Sequence, residues 1–122
     1  MAQGKILVVE DNPLNREMII TVLEAYGYTV LTAEDGQGLL ERVKPERPAL
    51  IIMDLQLPYV DGFTLTRELK ADAETRAIPI LVTSAFSRPE DRMRALDTGS
   101  TEFLTKPLDL PHFLETVARL LS

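Results

Sequence analysis

The stretch Ile6-Leu7-Val8-Val9 is the most informative part of the chain for the fold. It is followed directly by Glu10 and Asp11. Four apolar residues that end in two carboxylates are typical of a buried strand that opens into a polar site. Two later apolar runs end in the same way, one in Asp54 and the other in Lys106-Pro107. Because ligands bind beyond the carboxyl ends of parallel strands, these polar side chains are expected to meet.

Strand and helix patterns alternate five times along the chain. The short apolar or β-branched runs predicted as strands are residues 6–9, 29–32, 50–53, 80–83 and 101–105. The first, third and fourth runs are almost entirely apolar, which is typical of strands covered by helices on both faces. Five βα units in succession predict an α/β fold, a doubly wound parallel sheet of five strands with right-handed crossovers and five helices.

Local signals predict where the helices begin, end and bury their apolar faces. The first helix is expected to bury a stripe with a period of about 3.6 residues, made of Leu14, Met18, Val22 and Ala25, with Ile19 and Leu23 beside them. The second is predicted over about residues 38–44, with Pro45 as its stop. The fourth is predicted to start from a capping box at Ser87–Glu90.

Composition limits the kinds of protein this can be. The 122 residues carry a formal net charge of −6, with 45% apolar and 26% charged residues, and predict one globular domain over 1–122. No cluster of Lys and Arg supplies a phosphate-backbone footprint, so nucleic-acid binding is not expected. The absence of cysteine excludes a disulfide framework and a thiol active site. Without a signal-peptide pattern or a membrane-spanning stretch, a cytoplasmic protein with no membrane contact is expected.

The carboxylates at the strand ends predict a metal and phosphoryl site. Mg²⁺ prefers oxygen ligands, and Glu10, Asp11 and Asp54 are placed to supply them. Without a cation, three like charges repel one another, and the pKa of at least one carboxyl is expected to rise. Lys106 offers a positive charge to a phosphate oxygen or to Asp54, and Ser84 offers a hydroxyl donor. Together they predict a carboxylate nucleophile that forms an acyl phosphate.

In this order and spacing, the motifs resemble those of the receiver domain of two-component response regulators, of the single-domain, chemotaxis-regulator-like type, over the full length of the chain. The matching segments are residues 9–12, 53–58, 61–62, 83–85, 99 and 103–107. The resemblance implies a flavodoxin-like sheet with strand order 2-1-3-4-5, an order for which a chemotaxis member of this family is a standard example.

The resemblance also implies a role for the acidic residues. Asp54 would be the phosphorylated residue, accepting a phosphoryl group from a sensor histidine kinase or a histidine phosphotransfer protein. Mg²⁺ would be bound by Asp11, by Asp54 and by the backbone carbonyl of Gln56, with Glu10 assisting through water.

The remaining site residues would act on the phosphoryl group or respond to it. Ser84 and Lys106 would hold its oxygens and complete a catalytic set with Asp54, and Lys106–Pro107 would be a cis peptide. Ser84 and Phe103 would form a switch, in which the hydroxyl moves toward the phosphate and the ring fills the space left behind. The face of the fourth helix, fifth strand and fifth helix would then change for a downstream protein target.

Plainer interpretations stay open for several of these residues. Phe103 on an edge strand is commonly just core packing, and Ser84 is able to satisfy a local backbone group. His112, the single histidine, is expected at the surface. Phe86 lies two positions after Ser84 and is predicted to shield the acyl phosphate from water.

The predicted function is a regulatory switch and not an enzyme acting on other molecules. Its only chemistry would be its own aspartyl phosphorylation and dephosphorylation. The alternative is a Mg²⁺-dependent phosphohydrolase or phosphotransferase of the haloacid dehalogenase type, which also uses an aspartate after a strand. That class needs a second acid two residues later, where this chain has Gln56. The sequence leaves open whether the protein is a stand-alone receiver or one domain of a longer chain.

Overall fold

The computed structural model describes residues 4–85 and 88–122. Within these ranges, five strands alternate with five helices. The strands are β1 (Lys5–Val9), β2 (Thr29–Ala33), β3 (Leu50–Asp54), β4 (Ile80–Ser84) and β5 (Glu102–Thr105). The helices are α1 (Pro13–Ala25), α2 (Leu39–Glu46), α3 (Gly62–Ala71), α4 (Pro89–Asp97) and α5 (Leu110–Leu121). In the described part of the chain, no helix has the length and apolar character needed to cross a membrane.

The strands form one parallel sheet in the order β2-β1-β3-β4-β5, which confirms the predicted fold and strand order. All residues of β3 and β4 are buried, because helices cover both faces of the central strands. Two apolar clusters form the core, and their members come from alternating positions of the strands. The parallel register pairs Val9 with Met53 and Asp54 with Thr83. Glu10 follows Val9 and Asp54 follows Met53, so these two acids lie at the same carboxyl edge of the sheet.

The predicted apolar stripe of α1 is wrong at its first positions. Leu14 is 81% exposed and Met18 is also exposed, whereas Ile19 and Leu23 are the buried residues of the helix. Ile19 and Leu23 are four positions apart and belong to the same core cluster as the buried residues of α5. The helix therefore turns a narrower stripe to the sheet than the periodicity predicted.

One predicted helix boundary also differs from the structure. Pro45 does not stop α2, which continues to Glu46, because a proline this close to the end removes only one helical hydrogen bond. The helix ends instead at Arg47, which has a φ of 48°. Helix α4 has Arg88 as its N-cap, without a side-chain cap hydrogen bond. The predicted capping box depends on the side chain of Ser87, so it stays a prediction. Ser87 and the predicted shield Phe86 lie outside the described residues.

Gly62 lets α3 begin directly against the end of β3. A Cβ at this position would lie 2.6 Å from the carbonyl oxygen of Asp54 and 2.8 Å from the Cα of Leu55. Both are backbone atoms, so no side-chain rotation relieves the contact. We expect Gly62→Ala to lower the free energy of unfolding by about 2–3 kcal/mol, as measured by urea denaturation.

Gly36→Ala is the matched control for this prediction. Its Cβ would approach only side-chain atoms of Leu65, the nearest at 2.3 Å. Because the nearest atoms belong to the end of a leucine side chain, which is able to change rotamer, and not to the backbone, Gly36→Ala is expected to cost less than Gly62→Ala. An equal or smaller cost for Gly62→Ala would show that the backbone contact at the end of β3 is not tight.

Candidate metal and phosphoacceptor site

Three carboxylates meet at the carboxyl edge of the sheet. Glu10 and Asp11 follow β1, Asp54 is the last residue of β3, and one oxygen of each lies within 4.8 Å of the others. Glu10 and Asp54 are buried and Asp11 is exposed. The cluster is therefore open to solvent on the side of Asp11. The structure brings together the acids that the sequence predicted would share a cation.

Lys106 is the cationic partner of the two buried carboxylates. Its Nζ lies 2.7 Å from Oε1 of Glu10 and 3.3 Å from Oδ2 of Asp54. Backbone N–H groups bind the other oxygens: Asn12 donates to Oε2 of Glu10 at 3.2 Å, and Gln56 donates to Oδ1 of Asp54 at 3.0 Å. Each buried carboxylate thus has a donor on both of its oxygens, which fixes its orientation.

The electrostatics of this group follow from its burial. Burial raises the pKa of Glu10 above its ordinary value; the hydrogen bond from Lys106 opposes the rise and the charge of Asp54 adds to it. The predicted rise therefore occurs, but burial contributes more to it than repulsion between carboxylates. Burial by itself lowers the pKa of Lys106, yet the hydrogen bond to Glu10 and the charge of Asp54 outweigh it, so that pKa lies above its ordinary value. Lys106 stays charged at neutral pH, and the stability it contributes is lost only as the pH rises through its raised pKa.

Arg16 is a structural residue of the site that the sequence analysis missed. Its Nη1 donates to the backbone carbonyl of Glu10 at 2.9 Å and lies 3.4 Å from that of Asp11. These contacts tie the loop after β1 to α1 and hold both acids in place. The sequence signal that could have identified Arg16 was its position as a basic residue in the first turn of a helix, where the macrodipole favours acidic residues.

The remaining predicted residues lie around the cluster. Ser84, the last residue of β4, is buried and pairs with Thr105 of β5. The peptide bond between Lys106 and Pro107 is cis. Phe103 is 2% exposed and belongs to the core cluster that includes residues of α2, α3 and α4. This burial agrees with the plainer interpretation of Phe103 as a core residue as well as with a switch role. Gln56 has an exposed side chain, and its backbone N–H binds Asp54.

The donor set fits Mg²⁺, because it consists of three carboxylates and Mg²⁺ prefers oxygen ligands. We expect Mg²⁺ to raise the thermal midpoint, because a ligand that binds only the folded state stabilises it; at about 100 times the Kd the gain is about 2.7 kcal/mol. Asp11→Asn should reduce this gain without disturbing the fold, since Asp11 is exposed. Thermal melting with and without Mg²⁺ measures the difference.

The control for the metal experiment is Asp97→Asn, which removes one exposed carboxylate at the end of α4, away from the three acids. It should retain the full response to Mg²⁺. Equal responses of Asp11→Asn and the unmodified chain would contradict the metal site.

Together, the fold and the site define a class of protein: a doubly wound α/β domain with an aspartate, two further acids and a lysine at the carboxyl edge of its sheet. The family model of the response regulator receiver domain matches residues 6–118. The chain therefore belongs to the response regulator receiver domain family. As a receiver domain, it is a phosphorylation-dependent switch of two-component signalling.

Individual relatives agree with this assignment. The chain is 38% identical over 112 residues to the polar-differentiation response regulator DivK of Brucella anthropi, covering 92% of this chain and 91% of that protein. It is 36% identical to a receiver domain of a signal transduction histidine kinase from Syntrophus aciditrophicus, with a TM-score of 0.89, covering 97% of this chain and 89% of that one.

A third relative bears on the metal. The receiver domain of a sensor histidine kinase from Pseudomonas aeruginosa, which has a magnesium ion in its active-site cleft, is 33% identical, with a TM-score of 0.88 and 97% coverage of both chains. None of these relatives supports the haloacid dehalogenase alternative. The regulatory function predicted from the sequence is confirmed.

Proposed function

We propose that Asp54 is the phosphorylated residue and that residues 1–122 form a single receiver domain around it. The observation that carries the proposal is the position of the Asp54 carboxylate, at the end of the central strand β3, beside two further acids and 3.3 Å from Lys106. A carboxylate oxygen of Asp54 would attack phosphorus while the bond from phosphorus to the donor breaks, and the donor would leave with the electron pair. Lys106 and Ser84 would hold the phosphoryl oxygens.

The proposed metal is Mg²⁺, held by the carboxylates of Asp11 and Asp54 and by the backbone carbonyl of Gln56, with Glu10 assisting through water. Bound there, the ion would neutralise the charge of an incoming phosphoryl group. The oxygen-only donor set supports this assignment, and the magnesium-bound receiver from Pseudomonas aeruginosa offers a precedent.

The proposed phosphodonor is a sensor histidine kinase or a histidine phosphotransfer protein. The support is the kind of relatives found: a separate response regulator, and receiver domains named as parts of histidine kinases. Either arrangement is compatible with this chain. Phosphorylation would change the face of α4, β5 and α5, through Ser84 and Phe103, for a downstream protein target. The protein's own chemistry would end with hydrolysis of its acyl phosphate. A cytoplasmic location remains a prediction from the sequence.

The experiment that tests the proposal uses acetyl phosphate as a small phosphodonor. The protein is incubated with acetyl phosphate and Mg²⁺, and its intact mass is recorded over time. We expect one labile phosphoryl adduct, which does not form when a chelator removes the metal. An adduct that forms equally well in chelator would contradict the metal's role, and the lack of any adduct with Mg²⁺ would contradict the proposed phosphorylation.

A further inference from the structure

Helix α4 is attached to the rest of the domain by few buried side chains. Of its nine residues, all of which the structure describes, Ala95 is the one that is buried, and Met93 and Leu96 are exposed. Two arginines of α4 instead reach aromatic rings on neighbouring elements. The guanidinium carbon of Arg94 lies 4.1 Å from the ring centroid of Phe63 on α3. The position of α4 therefore depends on contacts of its arginines as well as on apolar burial.

Arg92 makes the corresponding contacts with β5. Its guanidinium carbon lies 5.9 Å from the ring centroid of Phe103, and its Nη1 lies 3.4 Å from the carbonyl oxygen of the same residue. Its Nη2 lies 3.8 Å from Glu102, which also binds Arg119 of α5 at 3.0 Å. Arg92 thus holds both the backbone and the ring of Phe103 while Glu102 connects α4 with α5.

The ring of Phe103 and the Ser84 side chain lie on the same face of the sheet. Phe103 pairs with Val82 in the register, and Ser84 follows Val82 by two positions on β4. Helix α4 covers this face, because Ala95, Val82 and Phe103 belong to one cluster. Any displacement of the ring along this face toward Ser84 therefore changes the distance between the ring and Arg92. The contact already lies near the outer limit of about 6 Å for a cation over a ring, so a small displacement breaks it.

We propose that Arg92 is a positioning residue for Phe103, which holds the ring and α4 in the arrangement of the unphosphorylated chain. The inference rests on the proposed switch role of Phe103 and adds the residue that opposes it. Phosphorylation then requires the contacts of Arg92 with Phe103 to be released. Because exposed cation–π contacts and surface ion pairs are individually weak, removing Arg92 should raise the population ready for phosphorylation only about three- to fivefold.

The test compares Arg92→Met with Arg94→Met in phosphorylation by acetyl phosphate and Mg²⁺, followed by intact mass. Methionine preserves helix propensity. Both variants lose one positive charge from the same helix, so any change in electrostatic attraction of the anionic acetyl phosphate is the same in both. We expect Arg92→Met to form the adduct about three- to fivefold faster than the unmodified chain. Arg94→Met, whose contact is with Phe63 and not with Phe103, should form it at the unmodified rate even if its thermal midpoint falls.

A second pair of variants tests whether the effect passes through the ring. In a Phe103→Leu background, adding Arg92→Met should accelerate the reaction less than it does in the unmodified chain, because the contact with the ring is already lost while the contacts with the carbonyl oxygen of residue 103 and with Glu102 remain. An undiminished acceleration in this background, an equal acceleration in Arg94→Met, or no acceleration in Arg92→Met would each overturn the inference. If the unmodified chain forms no adduct, the proposed phosphorylation itself fails, and this outcome is distinct from the other three.

Discussion

Asp54→Asn is expected to abolish the phosphoryl adduct that forms with acetyl phosphate and Mg²⁺. The amide is not a nucleophile for this reaction, and the neighbouring acids are poor substitutes. Glu10 is buried and its two oxygens are bound by Lys106 at 2.7 Å and by the N–H of Asn12 at 3.2 Å. Asp11 is exposed and lies outside the pair of carboxylates that Lys106 binds. Intact mass measured over time detects any remaining adduct.

Asp61→Asn is the control for this prediction, because Asp61 is an acid of the loop that follows Asp54. Its Oδ1 accepts the N–H of Thr64 at 2.9 Å and caps α3, and asparagine caps a helix about as well as aspartate. Asp61→Asn should therefore form the adduct normally. Persistence of the adduct in Asp54→Asn would assign the phosphoryl group to another residue.

Lys106→Met is expected to lower the free energy of unfolding by about 3–5 kcal/mol at neutral pH in the absence of metal. The change leaves Glu10 and Asp54 buried beside each other without a countercharge. Mg²⁺ should recover part of this loss, because a cation replaces the missing ammonium group. Phosphorylation should slow by about 100-fold or more, because the change removes the donor proposed for the phosphoryl oxygens. Urea denaturation with and without Mg²⁺ measures the first effect, and intact mass the second.

The cost of Lys106→Met should also depend on pH in a definite direction. Burial already raises the pKa of Glu10, and removing the hydrogen bond from Lys106 raises it further. For a carboxyl whose folded-state pKa is raised, the stabilising contribution is present below the ordinary pKa and is lost as the pH rises through the folded value. The difference between Lys106→Met and the unmodified chain should therefore shrink as the pH falls toward the ordinary pKa of a glutamate side chain. A constant difference would contradict this assignment.

Lys5→Met supplies the control for this change at the surface. Lys5 pairs with Glu46 at 3.4 Å, and both side chains are more than one-third exposed. Exposed ion pairs contribute at most about 1 kcal/mol, so the same substitution should cost little, and this cost should be the same with and without Mg²⁺. A similar loss in both variants would mean that the burial of the Lys106 pair has no energetic consequence.

The sequence predicted more of the site than of the helices, for a physical reason. Strand ends in a parallel sheet lie at one edge, so the type and order of the residues after each strand predict that Glu10, Asp54 and Lys106 meet. Helix faces depend on rotation about the helix axis. Leu14 satisfied the apolar period and yet is 81% exposed, because Ile19 and Leu23 pack against the core instead. Pro45 likewise lies inside α2, since its neighbours still complete the last turn.

By itself, the sequence determined the α/β class and the residues that form the acidic cluster, because these follow from alternation along the chain and from polar side chains at strand ends. The strand order was implied by the resemblance of its motifs to those of receiver domains. Only the tertiary structure decided how Lys106 divides its charge between two buried carboxylates, how Arg16 holds their loop and why Gly62 must lack a Cβ. It also decided that α4 contacts β5 through Arg92. These features are distances between residues far apart in the chain, and such distances are set by packing and not by local pattern.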